Sequence, residues 1–118
     1  MKEVLAIIQM NKMEETKNAL DVVGFPAFNA YKVQGRGKQR GLEIVYPSDL
    51  EEPQKGSVKF LPKRMISVVV EDEFVPAVVA VITKINRTGN IGDGRIFVIP
   101  IEESVRIRTG ERGSEAVS

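Results

Sequence analysis

The first apolar run of the chain, Val4-Leu5-Ala6-Ile7-Ile8, has no polar residues alternating through it and predicts a strand buried on both faces. Behind it Asn11 stands as an N-cap with Glu14 in a capping-box position, and Met13, Thr16, Leu20 and Val23 recur at helical spacing. Gly24 suits the left-handed residue after a helix and Pro26 blocks resumption, so a helix is predicted over about residues 12–23. A second strand follows over Ala27 to Gln34, and a third begins around Lys59 and runs through the β-branched stretch to Val70. Asp72 caps a second predicted helix, whose stripe is Val75, Val78, Val79, Ile82 and Ile85, with Pro76 tolerated in the first turn and Gly89 ending it. Ile96 to Ile101 is the fourth strand, and the small, polar tail over about 111–118 reads as disordered.

The order βαββαβ predicts an α+β fold of the ferredoxin-like, split βαβ kind. Helices cover only one face of such a sheet. Ile, Val and Phe on both faces of these strands therefore predict an oligomer that buries the second face.

Composition narrows the chemistry. A chain of 118 residues fits one domain, 1–118, with a sizeable core. It has no cysteine and no histidine, which removes thiolate nucleophiles, disulfides, the commonest general base and the usual zinc ligands. Seventeen basic residues against sixteen acidic ones, with no tryptophan, speak against nucleic-acid binding as the main role. No apolar run approaches a membrane span and no signal peptide is visible, so the expected setting is cytoplasmic, without membrane insertion.

What remains is a glycine-rich stretch. Gly89, Gly92 and Gly94 surround Asp93 and lead into Arg95 and the fourth strand, and Arg106 and Arg108 follow two apart. In an extended segment that spacing projects both guanidiniums to one side, and with exposed glycine N–H groups they make a phosphate site. Taken alone, the same residues also fit a tight turn into a buried strand with solvated arginines behind it. Gly35-Arg36-Gly37-Lys38-Gln39-Arg40-Gly41 reads either as a basic loop or as a seat for an anion, and residues 42–58 lack periodicity in a loop of unusual length.

Gly-Asp-Gly-Arg-Ile-Phe-Val at 92–98 and Arg-Ile-Arg-Thr-Gly-Glu at 106–111 closely resemble the two signature segments of the nitrogen-regulatory PII signal proteins. The resemblance extends through the Met-Lys start, the segment at 35–41 and Phe-Leu-Pro-Lys at 60–63, and so covers nearly the whole chain. It implies a trimer with ATP or ADP in each cleft between subunits. Gly35, Gly37, Lys38, Thr88, Gly92, Asp93, Gly94, Arg95, Arg106 and Arg108 would form the nucleotide site, with Thr88 near the adenine and the arginines neutralising phosphates. Gln39 would help hold Mg2+, and with Lys63 it would bind 2-oxoglutarate, Lys63 pairing with a carboxylate. Residues 37–59 would be the target-binding loop of the family, the T-loop. A sensor of this kind breaks no bond, so the chain is not expected to be an enzyme.

Two departures refine the resemblance. The loop is longer than in the usual signalling members, and Gly56 falls where those carry a tyrosine for uridylylation, Tyr46 being the only tyrosine in the loop. The chain is most similar to the long-loop branch found among nitrogen-fixation genes of archaea and anaerobic bacteria. That implies a partner, the dinitrogenase component of nitrogenase, and either a homotrimer or a heterotrimer with a sister chain. Tyr46, Asp49, Leu50, Glu51 and Glu52 are the candidate target contacts. The rival role is general PII control of an ammonium transporter or a nitrogen-assimilation enzyme; the absence of arginine over residues 42–54 speaks against the transporter.

Overall fold

The computed structural model describes residues 1–35 and 61–117. Its elements are β1 (Lys2–Gln9), α1 (Met13–Val22), β2 (Asn29–Gly35), β3 (Leu61–Val70), α2 (Val75–Asn86), β4 (Arg95–Pro100) and a short α3 (Ser114–Val117). The strands form one sheet in the order β2-β3-β1-β4, with every neighbouring pair antiparallel. This is the ferredoxin-like α+β arrangement the element order predicts.

Strand β1 departs from expectation. Val4, Ala6 and Ile8 are 0–1% exposed, whereas Leu5 and Ile7 between them are only half-buried. Both helices pack on the same side of the sheet, so within one chain a central strand has one dry face. Val4, Ala6 and Ile8 join Ile66, Val68 and Val70 of β3 and Leu20, Val78 and Ile82 of the helices in a single core. The register places Glu3, Leu5, Ile7 and Gln9 on the other, open face with Met65, Phe97 and Ile99. There Phe97, Ile99 and Tyr31 keep 37–48% of their surface exposed.

Neither helix begins with the predicted cap. Residues Met10–Lys12 and Asp72–Phe74 are single 3-10 turns, and no side chain caps α1 or α2. Asn11 lies inside its turn, while Asp72 turns its carboxylate to the α-amino group of Met1 and to Lys2 Nζ at 3.1 Å. That cationic pair, the α-amino hydrogen bond first, holds the Asp72 carboxyl below its ordinary range. Packing explains why caps are dispensable. Burying Leu20 or Ile82 fully contributes roughly 2–3 kcal/mol each, against about 1 kcal/mol for an N-cap.

The exit of α1 follows the sequence expectation closely. Gly24 takes φ 97°, its N–H donates to Asp21 O at 3.0 Å and the Phe25 N–H to Leu20 O at 2.8 Å, the paired bonds of a Schellman motif. Phe25 then packs edge-on against Phe74, with ring centroids 5.6 Å apart. Helix α2 ends at Asn86, three residues before Gly89, because Arg87 is already extended at φ −74°, ψ 121°. Asn86 Nδ2 donates to Ile82 O at 2.9 Å and to Thr16 Oγ1 at 3.0 Å, tying the end of α2 to α1. Strands two and four begin within two residues of expectation, at Asn29 and Arg95.

The tail also differs from expectation. Val105 pairs with Arg112, Gly113 N–H donates to Ser104 O at 2.9 Å, and Ser114–Val117 forms a turn of helix. Among the described residues no helix is long and apolar enough to cross a membrane.

Candidate functional site

The loop from α2 to β4, residues 87–94, is built around one carboxylate. Asp93 accepts from Thr88 Oγ1 at 2.5 Å, from the Thr88 N–H at 2.7 Å and from the Gly89 N–H at 2.9 Å. The Thr88 hydroxyl in turn accepts from the Asn90 N–H at 3.2 Å. These donors, the Thr88 hydroxyl foremost, favour the charged form and hold the Asp93 carboxyl below its ordinary range. Asp93 thus closes the loop on itself, and its charge is engaged by the chain's own donors.

The glycines have distinct tasks. Gly92 and Gly94 take φ 104° and 112°, in the left-handed region. At Gly94 a Cβ would lie 1.9 Å from the Ile7 carbonyl oxygen, so only glycine lets the loop meet β1 so closely. Gly89, at φ 90°, has open space around it.

A second anchor comes from the open face of the sheet. Gly92 O accepts from Lys63 Nζ at 2.9 Å and from Gln9 Nε2 at 3.0 Å. Gln9 and Lys63 are register partners at the end of the β1–β3 ladder, and a Cβ added at Gly35 would lie 3.9 Å from Lys63 Cγ. The next residues are Ile7 on β1 and, opposite it, Arg95 on β4. On the helix side of the loop, a cavity of about 310 Å³ is lined by Ile8, Ile82, Asn86, Asp93, Arg95 and Ile96 among others.

The structure therefore gathers Thr88, Gly92, Asp93, Gly94, Arg95, Lys63 and Gly35 at one end of the sheet. Gly37, Lys38, Gln39, Tyr46, Asp49, Leu50, Glu51 and Glu52 lie outside the described residues, as does the modification question at Gly56. Arg106 and Arg108 are a correction: they do not share one side of an extended segment. After Val105 the chain turns, with the Gly110 N–H donating to Arg106 O at 2.7 Å. Arg106 Nη1 donates to Glu111 Oε1 at 2.5 Å and Nη2 to Glu115 O at 2.9 Å, so this guanidinium is held within its own hairpin. Arg108 is exposed beside Ile107, which at 97% exposure is the barest large apolar side chain described.

Gln9 was not among the candidates from sequence. The signal was there in principle: it is the first polar residue after the β1 run and shares a face with Ile7.

What the arrangement offers chemically is a hydrogen-bonded, glycine-lined loop beside a lysine and an arginine. That donor set suits a polyanion. Among the described residues no group of three or more His, Cys, Asp or Glu is placed to hold a metal ion.

Comparison with known proteins adds the following. The family model described as nitrogen regulatory protein P-II matches residues 1–111. The chain is 52% identical to the nitrogen fixation nifHD region GlnB-like protein 2 of Methanothermococcus thermolithotrophicus, covering 99% of this chain and 98% of that one. It is 50% identical to the protein of the same name from Methanothermobacter marburgensis, covering 99% of this chain and all of that one. Identity to the nitrogen regulatory protein P-II of Azospirillum brasilense is 43%, with 99% and 100% covered. Among solved structures, the crystal structure of Arabidopsis thaliana PII bound to citrate superposes with a TM-score of 0.76 at 31% identity, covering 99% of this chain and 89% of that one.

Proposed function

The chain belongs to the nitrogen regulatory protein P-II family, and from that premise we propose that it is a nitrogen-status sensor acting through ATP or ADP, Mg2+ and 2-oxoglutarate. The observation that carries this reading is the Lys63 ammonium seated on the Gly92 carbonyl of a loop already closed by Asp93. A loop fixed before any ligand arrives needs no ordering when a polyphosphate docks, which favours binding.

In this reading Gly35, Gly37, Lys38, Gly92, Gly94 and Arg95 cradle the phosphates and Thr88 lies near the base. Asp93 has a positioning role, because a carboxylate aimed at phosphate would repel it. Arg106 and Arg108 complete the site from a neighbouring copy in a trimer, whose core is the open face with Leu5, Ile7, Phe97 and Ile99. Magnesium is commonly bound through nucleotide phosphates with few protein ligands, and Gln39 fits as one of them. Mg-ATP, when bound, would supply a Lewis-acidic metal beside the 2-oxoglutarate site, and Lys63 would pair with a carboxylate of that effector. The chain is read as one domain in which residues 37–59 report the ligand state to a target.

The relatives named for the nitrogen fixation nifHD region favour a target in nitrogen fixation, which we take to be the dinitrogenase component of nitrogenase, bound by the homotrimer or by a heterotrimer with a sister chain. Tyr46, Asp49, Leu50, Glu51 and Glu52 are the proposed contacts. By linkage, the target must then alter 2-oxoglutarate affinity reciprocally. Control of an ammonium transporter or a nitrogen-assimilation enzyme is the second reading, supported by the 43% identity to a relative named only as P-II.

Calorimetric titration of 2-oxoglutarate with and without Mg-ATP, repeated on Lys63→Ala and Gln39→Ala, tests the sensor. Binding that requires Mg-ATP and disappears in both variants is expected; full binding in either variant rejects the assignment. Pulldown of dinitrogenase should fail for a variant lacking residues 42–54, and undiminished capture would reject the loop as the target contact.

A further inference from the structure

The Gly92 carbonyl is held by two donors that differ in kind. Lys63 brings a charged ammonium and Gln9 a neutral amide, at 2.9 and 3.0 Å. A carbonyl oxygen has two lone pairs, so both donors are accommodated at once. An ammonium is drawn to any anion that enters beside it, whereas a carboxamide is not.

We propose that Gln9 is a positioning residue that keeps the Gly92 carbonyl, and the loop behind it, in place when Lys63 turns to an anionic effector. The identity of the anion rests on the reading above; the two-donor anchor rests on the geometry alone.

The loop has little room to absorb the loss of both donors. At Gly94 even a Cβ would collide with the Ile7 carbonyl oxygen of β1, and Asp93 between the two glycines carries the bonds to Thr88 and Gly89. A shift of Gly92 is therefore a shift of the carboxylate that closes the loop. With Gln9 present, Lys63 departs and the carbonyl keeps a partner. Without it, the departure leaves a half-buried carbonyl unsatisfied, and that penalty falls on the effector-bound state alone. Gln9 thus separates effector capture from loop disruption. It also fixes the direction of the Lys63 motion, because the ammonium leaves a carbonyl that stays where it was.

The test uses the full chain in four forms: the native protein, Gln9→Met, Lys63→Met and the double variant. Hydrogen exchange of the Thr88 and Gly89 amides reports loop closure without any ligand. Each single variant should keep protection within about twofold, and the double variant should lose roughly tenfold or more. A double variant equal to the sum of the singles, or a Gln9→Met loss as large as the double, overturns the proposal. In the second arm, 2-oxoglutarate is titrated in the presence of Mg-ATP. Gln9→Met should weaken it roughly tenfold. Unchanged affinity in Gln9→Met overturns the proposal. Should the native protein fail to bind 2-oxoglutarate, the sensor reading falls, while the exchange arm still decides the role of Gln9.

Discussion

The two helix exits of this molecule use the same residue type to opposite ends. After α1, Gly24 turns the chain and backbone N–H groups find backbone carbonyls at once, in the bonds to Asp21 and Leu20. After α2, the chain runs extended from Arg87, and its turn is held by side chains: Asp93 on Thr88 and Gly89, and Lys63 and Gln9 on Gly92. The first exit is complete within a few residues of sequence. The second takes its restraints from β1 and β3, far away in the chain, and so its shape depends on groups that a ligand can compete for. A turn satisfied by its own backbone is complete in its local sequence; one held by side chains of distant strands depends on the tertiary fold.

Substitutions should separate the two exits. The largest effect is expected for Gly94→Ala, whose Cβ would meet the Ile7 carbonyl oxygen at 1.9 Å in a left-handed conformation. Overpacking against backbone together with the positive φ predicts a loss of about 3 kcal/mol or more, read from denaturant midpoints at fixed protein concentration. Asn86→Ala comes next. It removes the bonds from the end of α2 to Thr16 and Ile82, but also an Oδ1 that has no partner among the described residues, so about 1–2 kcal/mol is expected by the same measurement. Gly24→Ala should be milder, about 1 kcal/mol, since φ is positive but nothing lies within 4 Å of the new Cβ. If Gly24→Ala proves as damaging as Gly94→Ala, close approach is not what distinguishes the second exit.

The smallest global effect, and the most selective, is that of acid. The Asp93 carboxyl is depressed by the Thr88 hydroxyl first and then by the Thr88 and Gly89 amides, so its stabilisation is present above the ordinary carboxylate range and is lost as pH falls through the depressed value. Hydrogen exchange corrected for intrinsic rates should show Thr88 and Gly89 losing protection only at pH below the ordinary carboxylate range. The Gly24 and Phe25 amides, bonded to carbonyls, should show no such step. In Asp93→Asn the acid step should vanish from the loop as well; its persistence would mean another group closes the turn.

Much of this was readable from the chain. The strand and helix order, the Gly24 exit and the glycine loop follow from periodicity and turn chemistry that act over a few residues. What escaped is nonlocal. Asn11 and Asp72 look like caps by local rules, yet packing of Leu20 and Ile82 makes the caps unnecessary, and Asp72 is drawn to charges at the start of β1. Arg106 and Arg108 follow an alternating pattern, but Glu111 and Glu115 bend the segment into a hairpin and turn Arg106 inward. Gln9 is legible in the sequence only as a polar residue closing the β1 run; its place in the site comes from register with Lys63, and register is a property of two strands. The glycines and Asp93 are legible as a motif, but only the folded loop turns the carboxylate onto its own backbone.

The pairing of Gly35 with Leu61 has a consequence for how such a protein changes over evolutionary time. Both ends of residues 36–60 depart from neighbouring points of one antiparallel ladder, roughly 5 Å apart. Whatever is inserted between them begins and ends at the same doorway, and each doubling of its length adds only about 0.6 kcal/mol of closure entropy. The sheet is therefore a socket into which recognition segments of different length can be grafted without refitting the core. Lys63 stands two residues inside that doorway, so under the proposed sensor function a new segment would inherit the same effector site while addressing a different client.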